Sequence, residues 1–71
     1  MKNQAVLVAF GLHLRTLREQ RGWSQQELAD LADISKPTVY RIETARYSAT
    51  LDVLASLAQA LNLPLRELVN I

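Results

Sequence analysis

The stretch Ser24–Glu43, S-Q-Q-E-L-A-D-L-A-D-I-S-K-P-T-V-Y-R-I-E, decides how the rest of the chain is read. Ser24 can cap a helix through its hydroxyl, and Glu27, three positions on, can reach back to the serine N–H and complete a capping box. Leu28, Ala29 and Ala32 fall on one side of that helix, while Gln25, Gln26 and Asp30 fall elsewhere, so it has a dry face and a wet one. Asp33 stands where the chain must reverse, and aspartate tolerates the left-handed backbone conformation better than most non-glycine residues. Ser35 then caps a second helix, after Ile34 has been placed to drop into a core. Val39 and Ile42 set the inward direction of that second helix, and at about 100° per residue every other side chain follows. Pro37 and Thr44 come out nearly opposite the core, Tyr40 and Arg41 roughly 130° away on either side, and Lys36 and Thr38 on the flanks of the first turn. Pro37 is tolerated there because its missing N–H would be unpaired in a first turn anyway.

On the N-terminal side, Val6, Phe10, Leu14 and Leu17 recur at helical spacing, with Arg15, Arg18, Glu19 and Arg21 mostly outside the stripe and Gly22 as the stop. This predicts a first helix over Val6–Arg21, preceded by residues 1–5, which carry no periodic signal and are expected to fray. Leu7 and Leu12 fit the stripe poorly, which makes the N-terminal turns a candidate contact with a partner chain. Trp23 reads as a partly buried core edge and His13, the one histidine, as a surface or boundary residue. On the C-terminal side, Thr44–Ala49 reads as a loop. Thr50 can cap a fourth helix with Asp52 near the positive end of its dipole. Leu51, Leu54, Leu57, Ala58 and Leu61 form its apolar stripe, and Asn62 is its left-handed terminator. Pro64 opens a short fifth helix from Leu65 to Val69. Leu63 and Leu68 belong to the core. Leu65, Val69 and Ile71 exceed what so small a domain needs inside and are candidates for a dimer interface.

Composition narrows the class. Seventy-one residues make room for one domain over residues 1–71, and a chain of this size buries only about 60% of its unfolded surface, so its core must be efficient. With 49% apolar residues and only two glycines and two prolines, the chain reads as all-α, a compact five-helix domain. The absence of cysteine removes disulfide frameworks and thiolate metal sites, which makes an intracellular compartment, the cytoplasm, the expected location. The apolar run Ala5–Phe10 is far too short for a membrane span and is not flanked like a signal peptide. Residues 1–46 carry seven Lys and Arg against five Asp and Glu, a net of +2, while residues 47–71 carry −1, an asymmetry that favours an anionic partner at the front half.

The order and spacing of three segments resemble the phage Cro and repressor family of helix-turn-helix DNA-binding domains, also called xenobiotic-response-element-like. These are L-R-T-L-R-E-Q-R-G-W-S-Q-Q-E-L-A from Leu14, D-I-S-K-P-T-V-Y-R-I-E ending at Glu43, and L-D-V-L-A-S-L-A-Q-A-L-N-L from Leu51. The likeness spans about Phe10 to Val69 and extends to the small controller proteins of restriction-modification systems. It implies a recognition helix at residues 36–43 that enters the major groove, with Lys36, Pro37, Thr38, Tyr40 and Arg41 meeting base edges. It implies Gln25 on the DNA backbone and a structural ion pair of Arg18 with Glu43; Thr44, Arg46 and Tyr47, which follow the recognition helix, are expected on phosphates at its other side. Where the family tends to carry a glycine after the recognition helix and a proline before the fourth helix, this chain has Ala45 and Ala49. A positive φ at Ala45 would cost on the order of 1 kcal/mol.

Double-stranded DNA is therefore the expected partner, bound as an inverted repeat by a homodimer whose two recognition helices lie about 34 Å apart. The competing class is a protein-interaction module, such as an antitoxin or an antirepressor partner, that presents the apolar C-terminal tail to another protein. An enzyme is not expected: there is no cysteine, one histidine, no glycine-rich phosphate loop, no G-x-S-x-G elbow and no clustered carboxylate pair, and nothing calls for a metal or cofactor.

Overall fold

Each of the first four helices opens on a side chain that holds its own first turn. The computed structural model describes residues 3–71, and these form α1 (Gln4–Gln20), α2 (Gln25–Ala32), α3 (Lys36–Glu43), α4 (Leu51–Leu61) and α5 (Leu65–Leu68). The Asn3, Ser24, Ser35 and Thr50 side chains accept from the backbone N–H three residues on, at 3.2, 3.0, 3.2 and 3.2 Å. The Ser24 N–H in turn donates to Glu27 Oε1 at 2.9 Å, so the capping box of α2 is complete. Helix α1 begins at Gln4, two residues earlier than the apolar periodicity marks it, because Asn3 supplies a cap that a hydrophobic pattern does not report. Of the five residues expected to fray, Met1 and Lys2 lie outside the described residues.

The same four helices close alike. Gly22, Asp33, Ala45 and Asn62 take φ values of 71°, 57°, 60° and 56°, and the next residue's N–H donates back to the carbonyl five positions earlier in every case. This closure satisfies carbonyls at a helix end that would otherwise be unpaired. Glycine, aspartate and asparagine are the residues that tolerate such a backbone; Ala45 adopts it without a polar side chain to help.

The core is built where α1, α2, α3, α4 and α5 meet. Leu14, Leu28, Val39, Ile42, Leu57, Leu61 and Leu68 are all buried to 2% exposure or less. Helix α3 packs on both α1 and α2, α4 packs on α2, and α5 closes against α4. The whole measures 30 × 24 × 21 Å.

Two expected stripes are displaced. Val6 is 48% exposed, because the buried face of α1 is turned toward Gly11 and Arg18, where α3 docks. Leu51 is 69% exposed: it is the first residue of α4 and projects beyond the elements that cover Leu57, Ala58 and Leu61. Leu7 is half-buried and Leu12 stands outside the core. Of the three apolar residues expected in excess at the C-terminus, Leu65 packs against the core, while Val69 and Ile71 are exposed.

Candidate nucleic-acid interface

The geometry of the interface begins on its hidden side. Val39 and Ile42 bury one face of α3, and α1 comes so close to the end of α3 that a Cβ on Gly11 would lie 2.6 Å from the Ile42 carbonyl oxygen and 2.8 Å from that of Glu43. Only glycine permits that approach, since the obstructing atoms are backbone on both counts. A glycine inside a helix costs about 1 kcal/mol against alanine. A glycine at that cost within the apolar stripe of α1 is the one sign of this close approach that the sequence carries.

Arg18 and Glu43 lock the same junction. Arg18 Nε donates to Glu43 Oε2 at 2.8 Å and its Nη2 to Oε1 at 3.0 Å, a two-pronged pairing, while Nη1 donates to the Trp23 carbonyl at 2.7 Å. The two side chains are only 11% and 3% exposed. Hydrogen bonding to Glu43 holds the Arg18 guanidinium above its ordinary pKa against the opposing pull of burial. The stability tied to that charge would be lost only as pH rises through the raised value, so Arg18 stays cationic wherever the fold is handled. Glu43 sits at the carboxyl end of α3, where the helix dipole disfavours an anion, and Arg18 offsets this.

With the back of α3 fixed, its other side faces outward. Lys36, Pro37, Tyr40 and Arg41 are exposed. Thr38 lies on the flank, half-buried, and its hydroxyl is 2.7 Å from that of Ser35, so it serves the helix cap. The exposed ridge combines two cations, a phenol and a proline ring on about 8 Å of helix, and a helix about 10–12 Å across with its side chains fits a major groove about 12 Å wide.

The residues expected on phosphates are placed less uniformly. Thr44 is exposed but its hydroxyl donates to the Tyr40 carbonyl at 2.7 Å. Arg46 is exposed, with its guanidinium carbon 6.0 Å from the centre of the Tyr40 ring, at the outer limit of a cation–π contact. Tyr47 packs against the core and so presents only part of its ring. Gln25 is half-buried and donates through Nε2 to Glu43 Oε1 at 3.1 Å. The loop that carries Arg46 is also held from α1, where Gln4 Nε2 donates to the Ala45 carbonyl at 3.4 Å.

Arg21, read as an outside residue, has a structural task. Its Nη2 donates to the Leu61 carbonyl at 2.7 Å and its Nη1 to that of Leu17 at 3.1 Å, and its guanidinium lies over Trp23 at 5.7 Å. It thereby meets the negative end of α4. Among the described residues no group of three His, Cys, Asp or Glu could hold a metal ion, and no helix is long and apolar enough to cross a membrane.

Two capped helices, α2 and α3, joined by a turn centred on left-handed Asp33, with the second helix exposed along one ridge, define a helix-turn-helix unit. A helix-turn-helix domain family model matches residues 9–70, and the chain belongs to that family. In structure it is similar to the restriction-modification controller protein C.AhdI from Aeromonas hydrophila, with a TM-score of 0.87, 39% identity, and 90% of this chain and 97% of that chain covered. In sequence it is 37% identical over 57 residues to the HTH-type transcriptional regulator SutR of Escherichia coli (strain K12), covering 80% of this chain and 32% of that protein. It is 36% identical over 52 residues to the competence pilus inhibition repressor of Acinetobacter baylyi, covering 73% of this chain and 47% of that protein. The chain thus spans about a third and about half the length of these two relatives.

Proposed function

We propose that the chain is a sequence-specific DNA-binding transcriptional regulator that reads the major groove with α3. The observation that carries this is the exposed ridge of Lys36, Pro37, Tyr40 and Arg41 on a helix whose opposite face is buried and clamped to α1. Lys36 and Arg41 donate to guanine O6 and N7, each contact discriminating by about 1–3 kcal/mol. Pro37 offers apolar contact to a thymine methyl, and Thr38 and Tyr40 flank them. Gln25, Thr44, Arg46 and the exposed part of Tyr47 grip the phosphates, which sets register without reading sequence. The regulator and repressor descriptions of the relatives, and the controller protein that shares its fold, support the same reading.

The operator is an inverted repeat and the binding unit a homodimer. A body 30 × 24 × 21 Å in extent presents one recognition helix to one groove, while successive grooves on one side of the duplex lie about 34 Å apart. Val69 and Ile71, exposed beyond α5, together with half-buried Leu65, supply the apolar surface for the second copy.

Selection of bound duplexes from a random pool tests this directly. A two-fold symmetric site is expected, with affinity that falls steeply as salt rises and discrimination that is lost when Lys36 and Arg41 are replaced. Replacing Arg46 should weaken all sequences alike and reduce the salt slope by about 1. A monomeric mass at tens of micromolar together with no retardation of any duplex would overturn the proposal. It would favour instead a module that docks its apolar tail on another protein.

A further inference from the structure

Gln25 stands where two demands meet. It is the first residue of α2, where unpaired backbone N–H groups and the positive end of the helix attract an anionic oxygen. In the free protein, however, its amide is already engaged by Glu43, at 3.1 Å. A primary amide nitrogen carries two hydrogens, and an ionised carboxylate can only accept. The amide therefore has one permitted orientation, because turning it over would set Oε1 against a carboxylate oxygen. Glu43 in turn cannot rotate away, since both of its oxygens are held by Arg18, which is itself anchored on the Trp23 carbonyl. One hydrogen of Gln25 Nε2 is thus committed. The other remains on the same nitrogen, and among the described residues Gln25 makes no second side-chain hydrogen bond.

We infer that Glu43 is a positioning residue for phosphate binding: by holding Gln25, it ensures that the second amide N–H, and not the carbonyl oxygen, meets the DNA backbone. The inference rests on the DNA-binding reading above. It gives the Arg18–Glu43 pair a second task besides joining α1 to α3. It also explains why a carboxylate can sit so near a phosphate site, since its charge is absorbed by a cation and its remaining acceptor strength orients a neutral donor. The alternative, in which Glu43 matters only for folding, makes the contribution of Gln25 to binding independent of residue 43.

A double-mutant cycle separates the two. Wild type, Gln25→Met, Glu43→Gln and the double variant are titrated at low salt against a fluorescent duplex of about 20 random base pairs, a probe bound through its backbone. Gln25→Met is expected to lose about fivefold in affinity with an unchanged melting temperature, and less than about twofold when residue 43 is already glutamine. The same loss in both backgrounds, or no loss in either, overturns the inference while leaving DNA binding intact. Failure of the wild type itself to bind any duplex overturns both. Should Glu43→Gln not fold, the wild type still answers by NMR. The two Gln25 Nε2 protons should be inequivalent in the free protein, and only the one not bonded to Glu43 should move when the duplex is added. Equal movement of both, or of neither, overturns the inference.

Discussion

The two faces of α3 are built by opposite rules. On the inner face Val39 and Ile42 are buried, Glu43 is forked by Arg18, and the α1 backbone approaches so closely that residue 11 has no room for a side chain. On the outer face Lys36, Pro37 and Arg41 stand in solvent, and the exposed Tyr40 ring has the Arg46 guanidinium 6.0 Å from its centre. The contrast teaches that holding α3 in place and presenting a surface to solvent fall mainly to different residues. Exchange of the outer set is expected to leave the fold undisturbed, whereas a change in the inner set is expected to shift the whole ridge.

Five variants would break or sharpen that contrast. The largest effect is expected from Glu43→Ala, which leaves the Arg18 guanidinium, 11% exposed, without its counter-charge. A loss of about 3–5 kcal/mol in urea unfolding is expected, against less than about 0.5 kcal/mol for Arg46→Ala. Equal shifts for the two would remove the distinction between an inner and an outer charge. Next, Gly11→Ala forces a Cβ against two backbone carbonyls and should destabilise by about 1–3 kcal/mol, even though alanine is otherwise the better helix former by about 1 kcal/mol. An unchanged or raised melting temperature would show that the α1–α3 junction can yield.

Ala45→Gly works in the other direction. It relieves a left-handed alanine at φ 60° and should stabilise by about 1 kcal/mol, a rise of roughly 4–8 °C in melting temperature for a domain of this size. No rise would mean that the loop already compensates the strain. The smallest effect on stability, within about 0.5 kcal/mol, is expected for the pair Lys36→Ala and Arg41→Ala, which touch nothing inside. Unfolding of that double variant would erase the separation between the two faces.

Much of this was legible in the residues because it is local. The capping box at Ser24 and Glu27, the serine and threonine caps of α3 and α4, the proline in the first turn of α3 and the left-handed positions at Gly22, Asp33 and Asn62 all depend on neighbours within five positions. The exposed ridge of α3 followed as well, since two buried residues fix the rotation of a short helix. Other features depended on partners far along the chain. The Arg18–Glu43 pair, 25 residues apart, was expected through family resemblance, and its distances come from the fold. The resemblance places Gln25 on phosphate, and its bond to Glu43, 18 residues away, appears only in the fold. Arg21 falls outside the apolar stripe of α1, yet it reaches a carbonyl 40 residues away.

By itself, then, the sequence determined where α2, α3 and α4 start and stop and which sides of α2 and α3 are dry, because capping, left-handed closure and periodicity are matters of the nearest few residues. Only the tertiary structure decided how α1 is rolled about its own axis, which exposes Val6 and brings Gly11 under α3. Only it decided that Leu51 lies outside the core and that one carboxylate holds both an arginine and a glutamine. The reason is physical: a helix carries the record of its own hydrogen bonds, but the space left between helices exists only once they have met.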